Sequence, residues 1–131
     1  MAKKEKIQNA FTVKEHADKA HELMPEDATV LHFLGRFAFT IAGISWMERK
    51  LAASFIASPP EATYDEALAF FVQAEERRQF PTNRVWIAKT YLKLSDKAKA
   101  KEWFTKVVEM APECESDKND IKEAQTALKK L

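Results

Sequence analysis

His16 and His21 are the first histidines along the chain that could hold a metal ion, and their spacing argues against it. Helix positions three or four apart share a face, whereas these two stand five apart. His32 sits alone in the apolar run VLHFLGRFAF and reads as a core or edge histidine. Cys114 is the single cysteine, so no internal disulfide can form and a reducing compartment is expected. Its position just after Pro112 reads as an exposed thiol. The chain has only two glycines, Gly35 and Gly43, and carries no phosphate loop, dinucleotide fingerprint or activated nucleophile motif. No catalytic residue, metal or cofactor is expected, and the chain reads as a non-enzyme.

The cations are more informative. Arg84, Lys89, Lys93, Lys97, Lys99, Lys101 and Lys106 face only Asp96 and Glu102, a local charge of +5 in a chain whose net charge is +1. From Glu109 to Asp120 the balance reverses to −4. Lys89, Lys93, Lys97 and Lys101 recur at intervals of four, and at least the first two share a helix face. Such a stripe suits an acidic, flexible polymer held by many weak, salt-sensitive contacts. With so small a net charge, nucleic acid is not an expected partner. A solvated lysine face is the plain alternative, and Trp86 and Trp103, interleaved with these lysines, read as core residues.

The elements that must position these residues are helices. Apolar residues make up 46% of the 131 positions and charged residues 31%, which suits one globular domain. Many Ala, Leu, Lys and Glu residues with few β-branched runs point to an all-α fold. The start MAKKEKIQNAF has no apolar segment of signal-peptide type, and no run of eighteen apolar residues suggests a membrane span.

Two helix endings look alike: AHELMPEDA stops at Pro25 and VVEMAPECE at Pro112. Residues 81–112 follow a helix–turn–helix template of about thirty-four residues, the tetratricopeptide repeat (TPR). Ile87, Ala88 and Tyr91 form the apolar face of its first helix, and Ala100, Phe104 and Val107 that of its second. Ser95 or Asp96 caps the second helix. Arg84 departs from the template, which prefers a large apolar residue there, and Trp86 is a substitute.

The preceding repeat, residues 28–80, begins with Leu31, Leu34, Gly35 and Ala38 and closes with Ala67, Phe71 and Ala74. Gly35 to Ala67 spans 32 residues where Ala88 to Ala100 spans 12, an insertion of 20. Thr63 and Glu66 form a T-x-x-E start signal, and Pro59 and Pro60 bar a helix from running into it. Ile41, Ile44, Trp46, Met47, Leu51, Phe55 and Ile56 keep helical spacing, so one elongated helix from about Ala28 to Ala57 is expected, with Gly43 a point where it could bend. Residues 1–25 read as the second helix of a truncated repeat, and 116–131 as a capping helix with an apolar stripe of Ile121, Ala124, Leu128 and Leu131.

The insertion also carries a family likeness. The stretch LGRFAFTIAGISWMERKLAASFIASPPEATYDEALAFFVQAEE, followed by KTYLKL and preceded by KIQNAFTVKEHADKAHELMPEDAT, resembles the regulator of microtubule dynamics family of TPR-like proteins. The resemblance implies a non-enzymatic, all-helical protein of the cytoplasm, associated with microtubules and the mitotic spindle and acting in chromosome segregation. It makes the acidic tails of tubulin the expected partner of Lys89, Lys93, Lys97 and Lys101. Relatives have further helical repeats upstream, whereas this chain starts inside a repeat. Ile7, Phe11 and Val13 of that first helix are then expected to form a self-association surface.

Two other functions stay open. One is a lipid- or hydrophobic-ligand-binding module at organelle contacts, with Phe37, Phe39, Trp46 and Phe55 lining its groove. The other is a peptide-binding TPR adaptor that engages other proteins through the helical groove, although no carboxylate clamp is evident.

Overall fold

The computed structural model describes residues 3–45, 48–50 and 61–131, with side chains from Thr12 onward. The regular structure among the described residues is entirely helical. Among the described residues six helices have both ends defined, in order: α1 Lys3–Leu23, α2 Ala28–Ala42, α3 Tyr64–Arg77, α4 Pro81–Lys93, α5 Lys97–Val108 and α6 Glu115–Lys130. Their starts are chemically marked. Asp27 Oδ1 accepts from Val30 N at 3.0 Å, Thr63 Oγ1 from Glu66 N at 3.1 Å and Asp96 Oδ1 from Lys99 N at 3.0 Å. Pro81 occupies the first turn of α4, where its missing N–H costs nothing.

Consecutive helices pack against each other, and α2, α4 and α6 also touch, forming an inner row. Among the described residues, the backbones of α1, α3 and α5 do not approach one another. The α2–α3 pair is antiparallel: Glu26 and Thr29 meet Arg77 and Arg78, while Phe39 meets Tyr64. This all-α zigzag is compatible with TPR-like packing.

The elongated helix is not what forms. Helix α2 stops at Ala42, and Gly43 turns its N–H back onto Phe39 and Thr40 carbonyls, each at 3.2 Å. Ile44 is tucked into the core, and a new helical turn occupies 48–50. Ser45 Oγ accepts from Glu48 N at 3.2 Å while Glu48 Oε2 accepts from Ser45 N at 3.4 Å, a reciprocal S-x-x-E cap. Arg49 donates to the Ile41 carbonyl at 3.1 Å and so holds the end of α2. The apolar spacing runs unbroken across Gly43, which hides this stop from a periodicity reading. Residues 51–60, including the two prolines, lie outside the described residues, as do Trp46 and Met47.

The core has two centres. Ala38, Ala67, Phe71 and Ile87 join α2, α3 and α4. Val85, Ala88, Ala100, Phe104, Val107 and Ala124 join α4, α5 and α6. Trp86 packs against the first centre and Trp103 against both, as core residues. On α6, Ala124 is fully buried and Ile121 and Leu128 are half-buried, whereas Leu131 is exposed. The α4–α5 turn closes through Ser95, which adopts a left-handed φ of 61°, a conformation costing a non-glycine residue roughly 1 kcal/mol.

Arg84 explains its own departure from the template. Its guanidinium lies against Glu75, with Nη2–Oε2 at 3.0 Å, and Nη1 donates to the Lys106 carbonyl at 3.3 Å. It therefore ties α3, α4 and α5 together. Both side chains are largely buried, 15% and 12% exposed. Removing one partner strands the other charge, so Glu75→Ala is expected to cost about 3 kcal/mol in urea unfolding, whereas the paired change R84L/E75L costs much less. At the α2–α3 crossing, a Cβ at Gly35 would lie 2.6 Å from the Phe71 ring, itself fully buried. Gly35→Ala is expected to lower stability by about 1–3 kcal/mol, read by the same unfolding curve.

Candidate partner-binding surface

The four lysines do not form one row. Lys89 lies on the inner row of helices, half-buried, with Nζ 2.8 Å from Glu123 Oε2 on α6 and 4.6 Å from the Trp86 ring centroid. It is committed to holding α6 on α4. Beside it Thr82 donates to Asp120, whose carboxyl is held above the usual range by burial, against the pull of the Thr82 hydrogen bond and Lys89.

Lys93 ends α4, Lys97 begins α5 and Lys101 follows one turn on; all three are exposed and none has an ion pair among the described residues. The short turn 94–96 places Lys93 and Lys97 at the same end of the helix pair. Glu102 engages Lys99 at 3.6 Å and Lys106 at 3.7 Å, so the acid of this helix does not neutralise the other three lysines. Lys106 also stands 4.0 Å from the Trp103 ring centroid. The surface left for a partner is thus the tip of the α4–α5 hairpin and the outer side of α5.

The expected aromatic groove is only half described. Phe39 is half-buried and turned to the core, with ring centroids 5.1 Å from Trp86 and 5.2 Å from Tyr64 in edge-on contact. Phe37 is half-buried, and Trp46 and Phe55 lie outside the described residues. Sequence reading missed Arg36, which is exposed and lies 4.8 Å over the Trp86 ring. Its partner stands fifty residues away, so no local signal could have revealed it. Of the expected self-association residues, Val13 is 49% exposed, and the side chains of Ile7 and Phe11 are outside the described set. Leu23 and Met24, which sequence reading did not single out, add exposed apolar area at the end of α1.

Among the described residues no cluster of three or more His, Cys, Asp or Glu could hold a metal ion, and no helix is long and apolar enough to cross a membrane. His16 is exposed, and His21 rests edge-on to Phe70 at 6.4 Å. Cys114 is exposed.

His32 is a core histidine. It is 4% exposed, and its Nδ1 lies 2.9 Å from Asn83 Oδ1, while Asn83 Nδ2 donates to the Phe71 carbonyl at 2.9 Å. The amide of Asn83 thus calls for a proton on Nδ1, leaving buried Nε2 without a partner. Burial lowers its pKa from 6.5, the Asn83 bond opposes this, and Arg36 adds to the lowering. As pH falls, the unfolded chain takes up this proton first. The His32 contribution to stability is intact above about pH 6.5 and is lost as pH drops below it toward the lowered folded-state value. Unfolding curves at pH 7.5 and 5 should show a drop that His32→Gln reduces.

These features define a class: an all-α protein of paired helices presenting a basic, solvent-facing hairpin tip. Residues 2–131 match the family described as regulator of microtubule dynamics protein 1-3. The chain belongs to the regulator of microtubule dynamics family. It is 41% identical over 128 residues to regulator of microtubule dynamics protein 1 of Bos taurus, covering 96% of this chain and 40% of that protein. Against regulator of microtubule dynamics protein 3 of Rattus norvegicus it is 35% identical over 130 residues, covering 95% and 28%. Protein 1 of Caenorhabditis elegans is 34% identical over 128 residues, covering 97% and 57%. The chain thus spans about two fifths of the mammalian protein 1 relatives' length.

Proposed function

We propose that this chain is a non-enzymatic interaction module that associates with microtubules and takes part in regulating their dynamics. The contact is electrostatic: Lys93, Lys97 and Lys101 engage the acidic tails of tubulin. Lys89 supports the surface by fixing α6 rather than by touching the partner. The setting is the cytoplasm and the spindle during chromosome segregation. One observation carries the reading: three exposed lysines without ion pairs among the described residues, gathered at one hairpin, in a chain whose relatives are named for microtubule dynamics.

Long acidic tails gain little from any single lysine, so affinity should come from the sum and fall steeply with salt. Co-pelleting with stabilised microtubules, intact and with their tails clipped, tests this across a salt series. Binding should vanish with the tails. The double reversal K93E/K101E should weaken binding to intact microtubules by about tenfold or more at low salt, with unchanged helicity by circular dichroism. Full binding by the reversed chain, or to clipped microtubules, would reject the lysine surface.

A further inference from the structure

Among the described residues, the serine and threonine hydroxyls are nearly all occupied. The Thr40, Thr90, Thr105 and Thr126 hydroxyls donate to carbonyls one helical turn back. Ser45, Thr63, Thr82 and Thr29 are engaged in caps or side-chain bonds, and Thr12 also has a partner. Among the described residues only Ser95 and Ser116 present an exposed hydroxyl with no hydrogen bond. Ser116 stands in the acidic stretch between Glu115 and Asp117. Ser95 stands between Lys93 and Lys97, in the middle of the basic surface.

Ser95 is also in the wrong conformation for its type. Its φ of 61° favours glycine or asparagine, and its N–H alone, bonded to the Leu92 carbonyl at 3.1 Å, serves the turn. The cap of α5 is supplied next door by Asp96. The hydroxyl therefore contributes nothing visible to the fold while its residue occupies a strained position. Strain retained at an exposed, chemically idle hydroxyl points to a use for that hydroxyl.

We propose that Ser95 is a phosphorylation site that turns the Lys93, Lys97 and Lys101 surface off; this regulatory role rests on the reading of that surface given above. Ser95 Oγ attacks the γ-phosphorus of ATP held by a serine kinase. The bond from that phosphorus to the β–γ bridging oxygen breaks, ADP departs with that oxygen, and the hydroxyl proton passes to a base of the kinase. Lysines two residues before and after the acceptor suit a kinase whose peptide cleft is lined with carboxylates. The product carries about two negative charges, set among three lysines that have no ion pair among the described residues. It lies between the C-terminus of α4, whose dipole disfavours an anion, and the N-terminus of α5, whose dipole favours one. The two dipole effects oppose each other, and the lysines set the outcome.

Two arms test this with the full chain. A purified serine kinase selective for lysine on both sides of its acceptor, with Mg·ATP, should place one phosphate on Ser95, mapped by tandem mass spectrometry and lost in Ser95→Ala. No phosphate at Ser95, or phosphate on Ser116 instead, overturns the site. In the second arm, chain with phosphoserine encoded at position 95 is titrated with polyglutamate, which probes the basic surface alone, and with microtubules. Phosphoserine should weaken polyglutamate binding by about tenfold at low salt, with unchanged helicity; equal binding by the two forms overturns the switch. If polyglutamate discriminates the two forms while neither pellets with microtubules, the microtubule reading fails and the switch stands.

Discussion

The Phe71 ring fills the space a Cβ would occupy at position 35, and the α2–α3 pair can close only because Gly35 has none. That contact brings the ring within 5.4 Å of His32 and 6.1 Å of Trp86. The Phe71 carbonyl, inside α3, also accepts from the Asn83 amide of α4, whose oxygen in turn meets His32. One aromatic residue thereby locks three helices, by shape on one side and by a buried polar chain on the other. Burying a side chain of this size contributes about 2–3 kcal/mol. The buried polar chain adds specificity, since each of its groups would cost free energy if left unpaired in any other register.

The same fixed frame sets the functional surface. Ile87 faces the first core centre while Val85 and Ala88 face the second, so α4 belongs to both and cannot rotate without disrupting each. With α4 held, Lys89 is committed inward to Glu123 and Lys93 is left at the hairpin tip. Arg84 ties α5 to the same helix through the Lys106 carbonyl, which keeps Lys97 and Lys101 in a constant relation to Lys93. A basic surface built this way is stiff at its base and solvated at its tips, a suitable form for a flexible acidic polymer that needs charge more than shape.

Much of this was legible from residue order because the signals were local. The 3.6-residue spacing of Ala67, Phe71 and Ala74, of Ala100, Phe104 and Val107, and the start at Thr63 all lie within one or two turns of the helices they specify. One local signal was missed and one was left open. The reciprocal Ser45–Glu48 cap was present in the sequence but overshadowed by the apolar run that continues across Gly43. The turn between α4 and α5 offered Ser95 and Asp96 as equal candidates, and backbone geometry assigns the cap to Asp96 and the left-handed position to Ser95. Arg84 looked like a flaw in the repeat because its partner is on another helix.

Helix content, the two proline stops, the small residue at the α2–α3 contact and the concentration of lysines near Lys93–Lys101 were determined by the sequence alone. Each depends on neighbours within a few residues, where side-chain type and backbone preference act directly. Tertiary structure decided which charges remain available. Lys89 is drawn to Glu123 and Arg84 to Glu75, while Lys93, Lys97 and Lys101 are left to solvent. Identical charges on one helix have the same propensity and the same solvation when the chain is unfolded. Only packing brings a carboxylate from a separate helix to one of them and not the next.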